Sequence, residues 1–125
     1  MNLEIGISHS THKLVEFKDT AAAYGSGLVE VFATPAMIAM MENTCLESVQ
    51  SRLDDGFTTV GTAVDIRHMK ATLKGKKVTC LSRLTEISGK KLIFEVEARD
   101  EVGLIGTGIH KRFVVNNDEF MQSLT

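Results

Sequence analysis

Apolar residues recur at spacings of three and four through residues 35–53, where Ile38, Met41, Cys45, Val49 and Leu53 form a stripe that predicts one long helix. Thr34 stands where an N-cap belongs. Pro35 suits the first helical turn, where no amide donor is needed, and Asp54-Asp55-Gly56 stops the run. From Thr58 the period drops to two, with Val60, Thr62, Val64 and Ile66 on one side and Gly61, Ala63, Asp65 and Arg67 on the other. Three further strands are predicted over residues 77–87, 90–99 and 103–115. Ser88-Gly89 joins the first two as a hairpin, and a turn at Asp100-Glu101 leads into the third. Residues 12–17 supply another strand, and residues 20–27 read as a loop. The sum is an α+β layer structure with an antiparallel sheet over the apolar side of one helix, although periodicity alone permits other helix-on-sheet arrangements.

At 125 residues the chain predicts one domain with a core large enough to need no disulfide or metal. A net charge of -2 removes the basic excess that marks nucleic-acid binding, so partners are expected to be small molecules or protein. No apolar run has the length of a signal peptide or of a membrane span of about 20 residues, which predicts a cytoplasmic protein with no membrane contact. Cys45 and Cys80 lack any CxxC companion and read as reduced, buried small hydrophobes. His9 and His12 have a spacing that a metal could use but no acidic or thiol partner beside them, so no metal is expected.

Two residues do not suit their positions. On a wheel of about 100° per residue Glu42 falls within the apolar sector, where a carboxylate is costly unless paired. Burial would also raise its pKa toward the range used in acid-base chemistry. The structural alternative puts Glu42 at the edge of the stripe, in solvent or paired with Arg67 or Arg112. His68 continues the phase of Val60, Val64 and Ile66, so it is expected to point toward the helix layer that carries Glu42. A carboxylate and a histidine on facing layers make an acid-base pair.

Val31-Phe32-Ala33-Thr34, Met41-Glu42-Asn43-Thr44-Cys45, the strand from Val60-Gly61-Thr62 through Arg67-His68, and Gly108-Ile109-His110-Lys111-Arg112-Phe113 occur in an order and spacing that resemble the fluoroacetyl-CoA thioesterase-like family of hotdog proteins. The resemblance covers about residues 30–115 and implies a hotdog fold. It further implies a homodimer with two interfacial active sites and hydrolysis of acyl-CoA to free acid and coenzyme A, with no cofactor beyond the substrate's own coenzyme. Matching positions make Thr34, Glu42 and His68 catalytic. Gly61 becomes a backbone lining the acyl pocket, Arg112 a substrate-side arginine, and Leu28 a pocket-border residue. Ser26-Gly27-Leu28-Val29 carries no aromatic where the fluoroacetyl-selective enzyme has one, a departure that bears on selectivity and leaves the three reacting side chains in place.

Thioester hydrolysis needs an oxygen nucleophile, a donor for the oxyanion and a proton for the thiolate. Glu42 can attack directly or deprotonate water, and His68 can orient it, assist water or protonate sulfur. The Thr34 hydroxyl and the helix N-terminal amides can hold a carboxylate or an oxyanion. Met37, Met40 and Met41 are read as packing before tunnel, and Lys70, Lys74, Lys76 and Lys77 as a solvated strand end or a phosphate contact. The competing readings are a non-catalytic acyl-CoA binding module and another hotdog acyl-CoA enzyme such as a hydratase. A binding module needs no carboxylate beside a histidine, and the Asp-His pair on which a hydratase relies has no convincing placement here.

Overall fold

The computed structural model describes Met1–Thr125. Its elements in chain order are β1 (Ser8–Leu14), a 3-10 turn (Phe17–Asp19), α1 (Ala21–Tyr24), α2 (Thr34–Gln50), β2 (Phe57–His68), β3 (Lys77–Ser88), β4 (Lys91–Asp100), β5 (Leu104–Asn116) and α3 (Asn117–Gln122). The five strands form one antiparallel sheet in the order β1-β3-β4-β5-β2. It wraps α2, the only long helix, as the periodicity and the resemblance both led us to expect.

The core lies between them. Met37, Met41, Cys45 and Val49 from α2 meet Val78, Cys80 and Leu84 from β3, Leu92 and Phe94 from β4, and Ile105 and Val114 from β5, all buried. The buried face of α2 is rotated from the sector drawn through Ile38, because Thr44 and Ser48 are buried and Ile38 is only half-buried. Both hydroxyls are satisfied locally, Thr44 donating to the Met40 carbonyl at 2.7 Å and Ser48 to the Cys45 carbonyl at 2.6 Å. Polar residues that return their hydrogen bonds to the helix can face a core, and hydropathy alone misplaces them. Met37, Met40 and Met41 are buried in the core, as packing residues are.

Three local expectations shift. The first strand runs over Ser8–Leu14 rather than residues 12–17, because its inward side chains are His9, Thr11 and Lys13 and give no apolar alternation. Thr11 instead shares a 2.7 Å hydrogen bond with Thr44 on α2. The β3–β4 hairpin turns at Gly89-Lys90, since Ser88 pairs with Lys91, and Gly89 takes the left-handed φ of 62° that such a tight turn asks of its first residue. Within the segment expected to be a loop, Ala21–Tyr24 forms the short α1, capped by the Thr20 hydroxyl, which accepts from the Ala23 amide.

The fourth shift positions the site. In an antiparallel pair, residues directly opposite each other point to the same face. Thr59 and Gly61 lie opposite the inward residues Val114 and Arg112, the register then slips between Gly61 and Ala63, and Val64, Ile66 and His68 lie opposite His110, Gly108 and Gly106. The bulge at Thr62 inverts the alternation. Gly61 therefore joins Val64, Ile66 and His68 on the helix side, while Val60, expected there, lies opposite the half-exposed Phe113 on the outer side.

Candidate active site

Thr34 is the first residue of α2 and not its cap. Ala33, in extended conformation, occupies the cap position with no side-chain hydrogen bond, and Pro35 sits in the first turn. The Thr34 hydroxyl is thereby released from the helix and meets Nδ1 of His68 at 2.8 Å. His68 points toward the helix layer as the strand phase required. Burial pulls its pKa below the ordinary histidine value, with the nearby Lys70 backbone acting the other way, so the ring is neutral near neutral pH. Its Nε2 is buried and has no hydrogen-bond partner. The Phe32 ring stands edge-to-face with the imidazole, with centroids 6.5 Å apart. Thr34 and His68 open on a cleft of about 320 Å³ lined also by Val31, Phe32, Ala33, Met69 and Ala71.

Glu42 is elsewhere in the same chain. Its side chain retains 41% of its exposure and flanks the buried face of α2, so it is not fully inside the apolar sector. Its Oε2 lies 4.0 Å from Nε2 of His110 and 2.8 Å from the point where a Cβ on Gly61 would stand. The same point is 3.2 Å from His110 Cε1 and 3.5 Å from an Arg112 amino nitrogen. Gly61 is a glycine at a place of close approach, and the group that approaches is the carboxylate.

His110 is 1% exposed and Arg112 6% exposed. The His110 ring is held in one protonation pattern. Its Nδ1 lies 2.8 Å from the Ala63 carbonyl, which can only accept, and its Nε2 lies 3.0 Å from Nη1 of Arg112, which can only donate. Nδ1 therefore carries the proton, and the ring is neutral, in keeping with a pKa lowered first by burial and then by Arg112. Arg112 also donates from Nε to Thr59 Oγ1 at 2.7 Å and from Nη2 to the Thr59 carbonyl at 2.9 Å. Burial lowers its pKa as well, with Cys45 and Glu42 acting the other way, yet an arginine in this setting stays cationic. The charge that faces Glu42 is thus Arg112, and His110 is its neutral support.

Two clusters result, Thr34 with His68 and Glu42 with Gly61, His110 and Arg112. No hydrogen bond or ion pair joins Glu42 to His68, the pair expected to face one another. Gly61 and His68 are seven residues apart, of which one is taken up by the bulge, so they stand roughly 20 Å apart at about 3.3 Å per paired step, and Thr34 and Glu42 are about 12 Å apart along the helix axis. Arg112, expected on the substrate side, has its guanidinium directed inward. Leu28, expected at the pocket border, is 98% exposed at a loop tip and does not line the cleft. His110 was not singled out from the sequence. The available signal was a histidine and an arginine two residues apart on one face of a paired strand, a polar pair where alternation demands apolar residues.

The other features resolve simply. Lys70 pairs with Asp100 at 3.0 Å and Lys74 with Glu30 at 2.9 Å, which takes two lysines out of the basic cluster. His9 faces Glu47 at 3.7 Å while His12 alternates to the opposite face of β1, so the two do not converge. Burial pushes the Cys45 thiol up to about 12 and the Cys80 thiol to about 11, consistent with inert core cysteines. No helix is long and apolar enough to cross a membrane.

The profile of the fluoroacetyl-CoA-specific thioesterase family matches residues 15–118. A fluoroacetyl-CoA thioesterase from Streptantibioticus cattleyicolor is 37% identical over 91 residues, which cover 73% of this chain and 66% of that protein's length. A solved structure of fluoroacetyl-CoA thioesterase superposes with a TM-score of 0.93 at 29% identity, covering 99% of this chain and 96% of that one. A hot-dog-like protein from Thermanaerovibrio acidaminovorans superposes with a TM-score of 0.88 at 24% identity, covering 96% and 89%, a likeness of fold alone. The fold is the hotdog fold.

Proposed function

The chain belongs to the fluoroacetyl-CoA-specific thioesterase family, and from that premise we propose that it hydrolyses a small acyl-CoA thioester to free acid and coenzyme A, as a homodimer in the cytoplasm and without a further cofactor. The observation that carries this reading is the Thr34–His68 pair, a hydroxyl on a half-buried, neutral imidazole at the wall of a cleft, whose other nitrogen has no partner. Neutral histidine beside a hydroxyl is the arrangement that moves protons to and from a carbonyl's substituents.

Glu42 supplies the oxygen chemistry. Either its carboxylate attacks the thioester carbon, releasing coenzyme A thiolate and leaving an anhydride that water opens, or it takes a proton from water that attacks instead. Thr34 and the amides of the first turn of α2 receive the oxyanion, and His68 protonates the departing sulfur or guides the water.

One chain holds Glu42 and His68 too far apart for this, and the free edge of β2 supports a remedy. Residues 61–65 of that edge are exposed and pair with β5 alone, which leaves their other side free. Antiparallel pairing of two copies about Val64, counted through the bulge at Thr62, sets Gly61 of each opposite Ile66 of the other, two residues short of His68, so that Glu42 of one subunit serves Thr34 and His68 of its partner. An isologous two-fold contact gives two such sites. Leu28, exposed in the single chain, then borders the acyl group.

A screen of acyl-CoAs of increasing chain length, with fluoroacetyl-CoA included, for free-thiol release tests the activity. We expect turnover with small acyl groups and a dimer by light scattering. A chain that binds acyl-CoA without thiol release is a binding module, and addition of water to an enoyl-CoA included in the screen, without thiol release, identifies a hydratase.

A further inference from the structure

The cluster around Glu42 contains two buried polar residues that the hydrolysis scheme does not use. Resting on the thioesterase reading above, we propose that His110 and Arg112 are a positioning pair for Glu42, and that Arg112 acts on the reaction through that carboxylate rather than by binding substrate.

The argument begins at the bulge. The register slip beside Thr62 carries the Ala63 carbonyl to His110, where it accepts from Nδ1 at 2.8 Å. That bond fixes the ring's orientation and leaves the Nε2 lone pair facing the guanidinium, which donates to it at 3.0 Å. Thr59 holds Nε and Nη2 from the other side, at 2.7 and 2.9 Å. A guanidinium so anchored, with three of its nitrogens engaged and 6% exposure, cannot swing out to meet a coenzyme A phosphate. Its charge instead lies close to Gly61, and the missing side chain there leaves the room that Glu42 Oε2 takes, 4.0 Å from His110 Nε2. Four strand features of no individual note, namely a bulge, a glycine, a histidine and an arginine, converge on one side chain of α2. A pair kept only for packing gains nothing from being polar, since apolar residues of similar volume serve a core at least as well.

The test compares His110→Gln with His110→Leu. Glutamine offers an oxygen that accepts from Arg112 and an amide that donates, whereas leucine fills volume and offers neither. With acyl-CoA turnover as readout, we expect His110→Gln to retain kcat within about threefold. His110→Leu should lose at least about tenfold in kcat, with KM within about threefold, because a carboxylate displaced by a fraction of an ångström no longer meets the thioester correctly. In protein carrying ¹³C-labelled glutamate, the Glu42 carboxyl resonance, assigned by its loss in Glu42→Gln, should move in His110→Leu and stay in place in His110→Gln. Should the leucine variant not fold, Arg112→Lys keeps the cation and loses the fork, and is expected to lower kcat without raising KM. Equal loss in the glutamine and leucine variants would mean that His110 itself exchanges a proton and would overturn the proposal. So would unchanged kcat in both, or an Arg112→Lys variant altered in KM alone. The resonance does not depend on turnover. If wild-type protein released no thiol while the resonance behaved as described, the thioesterase reading would fail and the positioning would stand.

Discussion

Gly61→Ala probes the seat of Glu42 with a single methyl group. The new carbon would stand 2.8 Å from Glu42 Oε2, about 0.7 Å inside an ordinary contact of about 3.5 Å. The backbone at Gly61 has no left-handed φ, so alanine fits the strand itself. Of the groups the methyl meets, His110 and Arg112 are buried and held by hydrogen bonds, while the Glu42 side chain is 41% exposed and free to yield. The carboxylate therefore moves. A shift of this size at a reacting group lowers kcat by about tenfold to a hundredfold. Stability should change by no more than about 1 kcal/mol, because the gain of about 0.5–1 kcal/mol from replacing a strand glycine offsets the residual crowding. Steady-state free-thiol release and a thermal melt on one purified variant measure both. Unchanged kcat in a variant that melts like the wild type would refute the claim that catalysis uses this carboxylate at this position.

Thr34→Val keeps the shape at the start of α2 and removes the hydroxyl that meets His68 Nδ1; turnover should fall by about a hundredfold or more in kinetic assay, with little change in melting temperature. Asp100 is desolvated, which raises its pKa, but hydrogen bonds from the Val102 and Gly103 amides, Lys70 and Thr72 outweigh this and bring it down to about 2. A folded value below the unfolded one stabilises fully above about pH 4 and fades as pH falls toward 2, so Asp100→Asn should cost about 2 kcal/mol in denaturant melts at pH 7 and nearly nothing at pH 2. A cost independent of pH would assign the loss to the turn's geometry. Leu28→Phe should leave hydrolysis intact and change acyl-length preference in the same thiol assay, since the residue reaches no reacting group within its own chain.

The long helix and the four strands after it were legible because each carries its apolar period over ten or more residues. β1 was misplaced because its inward face is His9, Thr11 and Lys13, which bond to α2 and the adjoining turn instead of burying hydrocarbon. The phase of β2 was half right. His68 was placed on the correct face by counting back to Val64 and Ile66, whereas Gly61 and Val60 were exchanged, because a one-residue bulge leaves no mark in hydropathy yet moves every residue beyond it to the opposite face. Thr34, expected as the N-cap, is the first residue of α2 instead, since Ala33 holds the cap position and leaves the threonine hydroxyl to His68. The distance between Glu42 and His68 was not legible at all. Facing layers imply proximity only when the crossing of helix and strand is known, and no residue pattern states that crossing.

Complementation between inactive variants tests most directly whether the catalytic groups come together across two subunits. Glu42→Gln and His68→Ala, each expected to be nearly inactive as a homodimer, are mixed in equal amounts under conditions that exchange subunits, and acyl-CoA turnover is followed. A heterodimer then contains one site lacking both groups and one site with Glu42 from one chain and Thr34 and His68 from the other intact. Random exchange makes half the dimers mixed, so activity should return to about a quarter of the wild-type value. Failure of any activity to return, with heterodimers demonstrated by mass spectrometry, would contradict the shared site and require Glu42 and His68 to act within one chain or not to act together.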